Sequence, residues 1–136
     1  MASRTVNRQL RTLKVTTPAG TAQATPQTTT FNVGNVILER LEIMIPPGHS
    51  GLTGIHVDHQ GMPLVPFGLP PAFLVASRET IGVDVGFEVG AALSVVTYNT
   101  DTFDHSHYLR AFVNVWLGGP SEAAPVLVPI TAGGDL

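Results

Sequence analysis

From Tyr108 to Leu117 the chain reads YLRAFVNVWL, and its side chains sort by parity into two rows. Leu109, Ala111, Val113, Val115 and Leu117 are uniformly apolar; Tyr108, Arg110, Phe112, Asn114 and Trp116 are amphipathic. A period of two is that of a strand with one face on a core. It recurs at Ile81, Val83, Val85, Phe87 and Val89, which alternate with Gly82, Asp84, Gly86, Glu88 and Gly90. An outward row of glycine and acid leaves room for something to pack closely on it. The stretch from Val36 to Ile45 fits both strand and helix periods. Leu41, Ile43 and Ile45 alternate with Glu42 and Met44, and Pro46-Pro47-Gly48 follows at once, so a strand is expected.

Further strands are expected over residues 9–17, from Thr28 to Val33 (ended by Gly34-Asn35), from Leu52 to Val57 and from Leu93 to Tyr98. Pro63 and Pro66 make the stretch from Met62 to Phe67 an edge strand or a loop, and Phe73 to Ala76 is a short apolar run. Asp58-His59-Gln60-Gly61 carries turn chemistry, and a last strand is expected at Val126–Ile130. With 14 Gly and 11 Pro as punctuation, this amounts to roughly seven to nine short strands and no convincing helix. The fold class is therefore all-β: an antiparallel β-sandwich, jelly-roll-like, with an extended N-terminal arm. Residues 1–35 form the expected arm, 36–120 the sandwich body and 121–136 a Pro-rich tail.

Composition changes this picture in two ways. Charged residues make up only 12% of the 136 residues, against about 25% in ordinary domains, as expected of a surface covered by partners. Cysteine is absent, which excludes disulfides, thiolate nucleophiles and cysteine-ligated zinc. No apolar run is long enough for a membrane span, so no membrane partner is expected. Charge is also unevenly placed. Arg4, Arg8, Arg11 and Lys14 give residues 1–38 a charge of +4, and the remainder carries −7. A basic arm on an acidic body predicts docking on an acidic neighbouring surface, such as another copy of the chain. Four charges without interleaved aromatic or glycine residues argue against nucleic acid.

The histidines offer the main candidate chemistry. His105 and His107 would share one strand face, as a metal pair must, and His56 lies two residues before Asp58. A cupin-like metal-dependent enzyme would use such a set, but no glutamate follows His107 as far as Trp116. His56 and His59 are three apart, which on a strand puts them on opposite faces. The weight falls on polar residues at strand ends, with no catalytic residue and no cofactor. Ser50 adjoins His49 in a turn, where neighbouring side chains rarely reach proton-transfer geometry, and no Gly-x-Ser-x-Gly occurs.

Two stretches, IPPGHSGLTGIHVDHQGMPLVPFG and TYNTDTFDHSHYLRAFVNVW, together resemble small all-β virion proteins of tailed bacteriophages. The resemblance implies a structural head, neck or tail component, including capsid decoration, located in the virion and assembled in the host cytoplasm. Its partners would be copies of itself and other virion proteins. The interface residues expected are Arg4, Arg8, Arg11 and Lys14 for docking, with Tyr108, Phe112 and Trp116 as a contact face. That aromatic row could equally be covered by a second sheet. A receptor- or glycan-binding module at a virion tip is the alternative, with Tyr98 and Trp116 as its stacking platform.

Overall fold

A computed structural model describes residues 6–66 and 72–116. Within them lie six strands: β1 (Val6–Thr17), β2 (Gln27–Ile45), β3 (Thr53–His59), β4 (Met62–Val65), β5 (Glu79–Asn99) and β6 (His105–Trp116). All pairings are antiparallel, and the sheet order is β1-β6-β2-β5-β3-β4. The pairing is nested: β1 with β6, β2 with β5, β3 with β4. A long hairpin folded over on itself gives such nesting, which a jelly roll elaborates with eight strands.

β2 pairs with β5 from Gln27–Thr97 to Ile45–Glu79, and each strand serves two neighbourhoods. The later half of β2, Ile37 to Met44, also pairs with β6, whereas the later end of β5, Ser94 to Asn99, also pairs with β3. The sheet therefore has two lobes joined by one pair of strands. Among the described residues fewer strands form than expected because two expected pairs fuse: 28–33 with 36–45, and 81–89 with 93–98. Gly34-Asn35 does not end its strand. A register shift lies between Asn32 and Gly34 and a second between Leu38 and Arg40. Gly34 has φ 82° and Gly86, opposite the second shift, φ 86°. Side chains other than glycine strain in that region, so glycine lets both strands bend without ending.

Burial follows these shifts. On β2 the buried residues are Phe31 and Val33, then Val36 and Leu38, then Leu41, Ile43 and Ile45. Their parity slips at each irregularity, which keeps apolar side chains on the concave side as the sheet turns. These residues join Ile55, Val57, Val89, Leu93, Val95, Leu109, Ala111 and Val113 in one core. The expected alternations of β5 and β6 hold. The outward Gly82 lies beneath the Arg40 guanidinium, which would clash with any β-carbon there.

Within the expected arm, residues 6–17 and 27–35 are strands of the sheet and do not project from it. β1 pairs with β6 residue for residue from Val6–Trp116 to Thr17–His105, and residues 27–35 already belong to β2. Val15 and Thr17 are buried, so the strand helps to close the core. Asp58 and His59 belong to β3, and the turn is made by Gln60 and Gly61 alone, both at positive φ. Arg4, the Phe67 end of the expected edge strand, and the tail with its strand at Val126–Ile130 lie outside the described residues.

Deleting residues 1–17 should therefore cost the whole fold. Thermal unfolding followed by circular dichroism should show a lost or much weakened cooperative transition. A truncated chain that melts like the full-length protein would mean that β1 is dispensable.

Candidate functional site

At one end of the molecule the loops after β1, β2 and β5 meet around buried polar side chains. Asn99, fully buried, is the hub. Its Nδ2 donates to the carbonyls of Thr17 (3.0 Å) and Phe103 (2.7 Å). Its Oδ1 accepts from the amide of Asp101 at 2.9 Å, and its own amide donates to the Thr21 carbonyl at 2.9 Å. Beside it, the Thr17 and Thr97 hydroxyls are 2.7 Å apart. β1 and β5 are not neighbours in the sheet order, so these bonds join its two lobes directly.

Three histidines pack at the same end. The ring centres of His49 and His105 are 4.5 Å apart, and those of His49 and His107 are 4.8 Å apart. His49 is buried in the turn after β2. Its Nε2 donates to the Ser106 carbonyl at 3.0 Å, which leaves Nδ1 to accept from the Thr53 hydroxyl at 2.7 Å. Ser50, its neighbour in sequence, bonds elsewhere: its amide donates to Ser77 Oγ. His105 Nε2 donates to Asp101 Oδ2 at 2.8 Å. His107 is only 1% exposed, and neither ring nitrogen has a hydrogen-bond partner among the described residues. As expected, His105 and His107 share the inward face of β6.

Electrostatics match the packing. Burial lowers the His49 pKa, with repulsion from His105 adding to it. His107 is pushed down to about 3, chiefly by burial and then by His49 and His105. The bond from His105, followed by that from the Thr102 amide, holds the Asp101 carboxyl below its ordinary range. Both shifts favour the neutral ring at His49 and His107. Among the described residues no group of three His, Asp or Glu side chains is placed to hold a metal ion.

His56 lies apart from this cluster, on the outward face of β3. It donates to Asp58 Oδ1 at 3.1 Å and packs on Phe73. His59 faces inward and accepts from the Gly90 amide. Sequence reasoning had placed these two on opposite faces but had not placed His49 with the other cluster. The only hint was its position in a Gly-bounded turn directly after a core strand.

Of the expected contact residues, Arg8, Lys14, Tyr108 and Phe112 sit on the outer face of β1, β6 and β2. Rows across the strands read Leu10–Phe112–Arg40, Thr12–Arg110–Glu42 and Lys14–Tyr108–Met44. Leu10 is 48% exposed and Met44 43%, while Tyr108 and Phe112 are half-buried. The face's charges are largely paired within the chain: Arg8 with Glu39, Arg40 with Asp84 and Glu42, Arg110 with Glu42. Asn114 donates to Glu39, and Lys14 Nζ lies 5.8 Å from the centre of the Tyr108 ring. No second sheet covers this row among the described residues.

Arg11 points the other way. With Trp116 and residues 33–36 it lines a cleft of about 280 Å³, and its Nη1 donates to Gln9 Oε1. Tyr98 is buried edge-on against Phe73 and cannot form a platform with Trp116.

No family model matches the chain, and no curated protein matches it. The chain is similar to a solved structure from work on Bacillus endospore appendages, described as a novel family of disulfide-linked pili. That likeness has a TM-score of 0.42 and 12% identity, and it covers 82% of this chain and 91% of the other.

The pH dependence of stability gives a direct check on the histidine cluster. The unfolded His107 ring takes up a proton near pH 6.5, whereas the folded one resists until about pH 3. Its contribution is thus complete above about pH 6.5 and falls by up to about 1.4 kcal/mol per unit below that. Asp101, with its lowered pKa, acts only in more acid solution. Denaturant unfolding from pH 7 to pH 4 should show this loss. His107→Leu should be neutral or stabilising at pH 7, because it removes unpartnered polar atoms, and should flatten the pH slope. An unchanged slope would rule out this role for His107.

Proposed function

We propose that this protein is a non-catalytic structural component that assembles in many copies through protein–protein contacts. The observation that carries this reading is the outer face of β1, β6 and β2, where Leu10 and Met44 stand exposed beside Phe112 and Tyr108. Most charges there are already paired within the chain, so burying the face against a partner leaves few charges without a counter-ion. The low charged fraction of the sequence points the same way.

The residues that could have supported an enzyme are engaged otherwise. Both nitrogens of His49 are bonded, His105 is tied to Asp101, and His107 is enclosed. A tailed-phage virion, as a decoration, neck or tail component, is the setting we propose from the sequence resemblance. The docking partner is a second copy or another virion protein.

Two measurements test the reading. Light scattering at increasing concentration should give masses that are multiples of 14.4 kDa. Leu10→Asp combined with Met44→Asp should leave the melting curve nearly unchanged, since both sites are exposed, and lower the assembled fraction at least tenfold. A wild-type chain that stays monomeric at all concentrations would end the proposal.

A further inference from the structure

We propose that copies of this chain join by edge-to-edge sheet pairing, β1 of one copy lying antiparallel against the first half of β5 in the next. This rests on the assembly reading above and specifies its contact. In the lobe ordered β1-β6-β2-β5, the two outer strands are β1 and the Glu79–Val89 portion of β5. No described strand pairs with the free side of either. Beyond this portion the Gly90 amide is taken by His59, and from Ser94 onward β3 pairs with β5. An unpaired edge presents a row of amide and carbonyl groups ready for another strand. The β4 edge has only four residues and is much the poorer template.

Direction fits. Three successive antiparallel pairings, β1 to β6 to β2 to β5, make β1 and β5 antiparallel to each other. A copy displaced sideways in the sheet plane therefore offers its β1 to β5 in the correct sense for an antiparallel ladder, with the same face outward.

Charge fits as well. β1 carries Arg8, Arg11 and Lys14 and no acid; Glu79 to Val89 carries Glu79, Asp84 and Glu88 and no base. Arg11 lies on the inner face, and the exposed Arg8 and Asp84 each have a half-buried ion-pair partner on their own chain. Glu79 and Glu88 are exposed and form no ion pair among the described residues. Charged edges ordinarily keep strands apart, but edges of opposite sign attract each other.

Register completes the match. Arg8 pairs with Asn114, Asn114 with Ile37, and Ile37 with Glu88, so all four share one row across the sheet. Lys14, Tyr108, Met44 and Thr80 share another, next to Glu79. A neighbour added without stagger sets its Arg8 beside Glu88 and, across the irregularity at Val85-Gly86 that takes up the two extra residues of β5, its Lys14 beside Thr80, with Glu79 one residue further on and on the opposite face. Such a head-to-tail contact repeats, closing into a ring or continuing as a filament according to the twist between copies.

Complementary charge reversal tests this. Variant one is Arg8→Glu with Lys14→Glu; variant two is Glu79→Lys with Glu88→Lys. Each alone should keep a near wild-type melting curve yet sediment as a monomer where the wild type assembles. Mixed in equal amounts, they should assemble again, because each acidic edge then meets a basic one. If the wild type assembles and both variants assemble equally well alone, the edge contact is wrong while the assembly reading stands. If the mixture fails to recover, the edge contact is likewise wrong. If the wild type never assembles, the assembly reading itself falls.

Discussion

Everything in this fold depends on two strands that are too long to lie in one flat sheet. β2 and β5 are 19 and 21 residues long and pair over nearly all of that length, and a straight ladder so long could not keep an apolar face on one small core. The register shifts at Gly34 and beside Gly86 resolve the problem by bending the pair and, on β2, changing which residues face inward. Without them either the ladder or the core would fail, since a strand that slips by one residue turns its whole apolar row to solvent. The nested pairing follows: once β2 and β5 bend together, β1 and β6 complete one lobe and β3 and β4 the other.

The bend leaves one end where backbone from three loops must be enclosed, and that end is held by polar contacts. Asn99 satisfies carbonyls and amides that would otherwise be buried without partners, a loss of roughly 1–3 kcal/mol each. The histidines fit the same purpose. An imidazole can donate with one nitrogen and accept with the other, as His49 does between Ser106 and Thr53. Burial favours the neutral rings of His49 and His107, and this fixes the sign of their pH dependence: protons favour the unfolded chain.

Much of this was legible in the sequence where one face is wet and the other dry. The rows of β6 and the first half of β5 read correctly because alternation records burial directly. The antiparallel all-β class followed from turn spacing. What misled was glycine, which marks a bulge as readily as an end: Gly34-Asn35 looked like a terminus and is a bend. The basic N-terminal segment looked like an arm because charge and threonine describe an edge strand equally well. Its inward residues, Leu13 and Val15, were the sign that it belongs to the core. The histidine end was half legible. His105 and His107 share a face by spacing alone, but His49 reaches them from a turn more than fifty residues away, and no local pattern records a contact made by folding the sheet over.

The place of β1 in the sheet changes what docking through the basic segment would mean. A flexible basic arm can find an acidic surface in many geometries, and its docking would fix no symmetry. An edge strand cannot: its backbone groups, its twist and the row positions of Arg8 and Lys14 define one direction and one register. The cost of holding a segment in order is already met within the monomer, so a neighbour gains backbone hydrogen bonds and charge contacts without ordering a disordered chain. The exposed Leu10 and Met44 lie in the rows that would run into that neighbour. Edge and face thus meet along β1, where Leu10 would stand beside the neighbour's outward row, while Met44, on the interior strand β2, stays open to a second contact on the face.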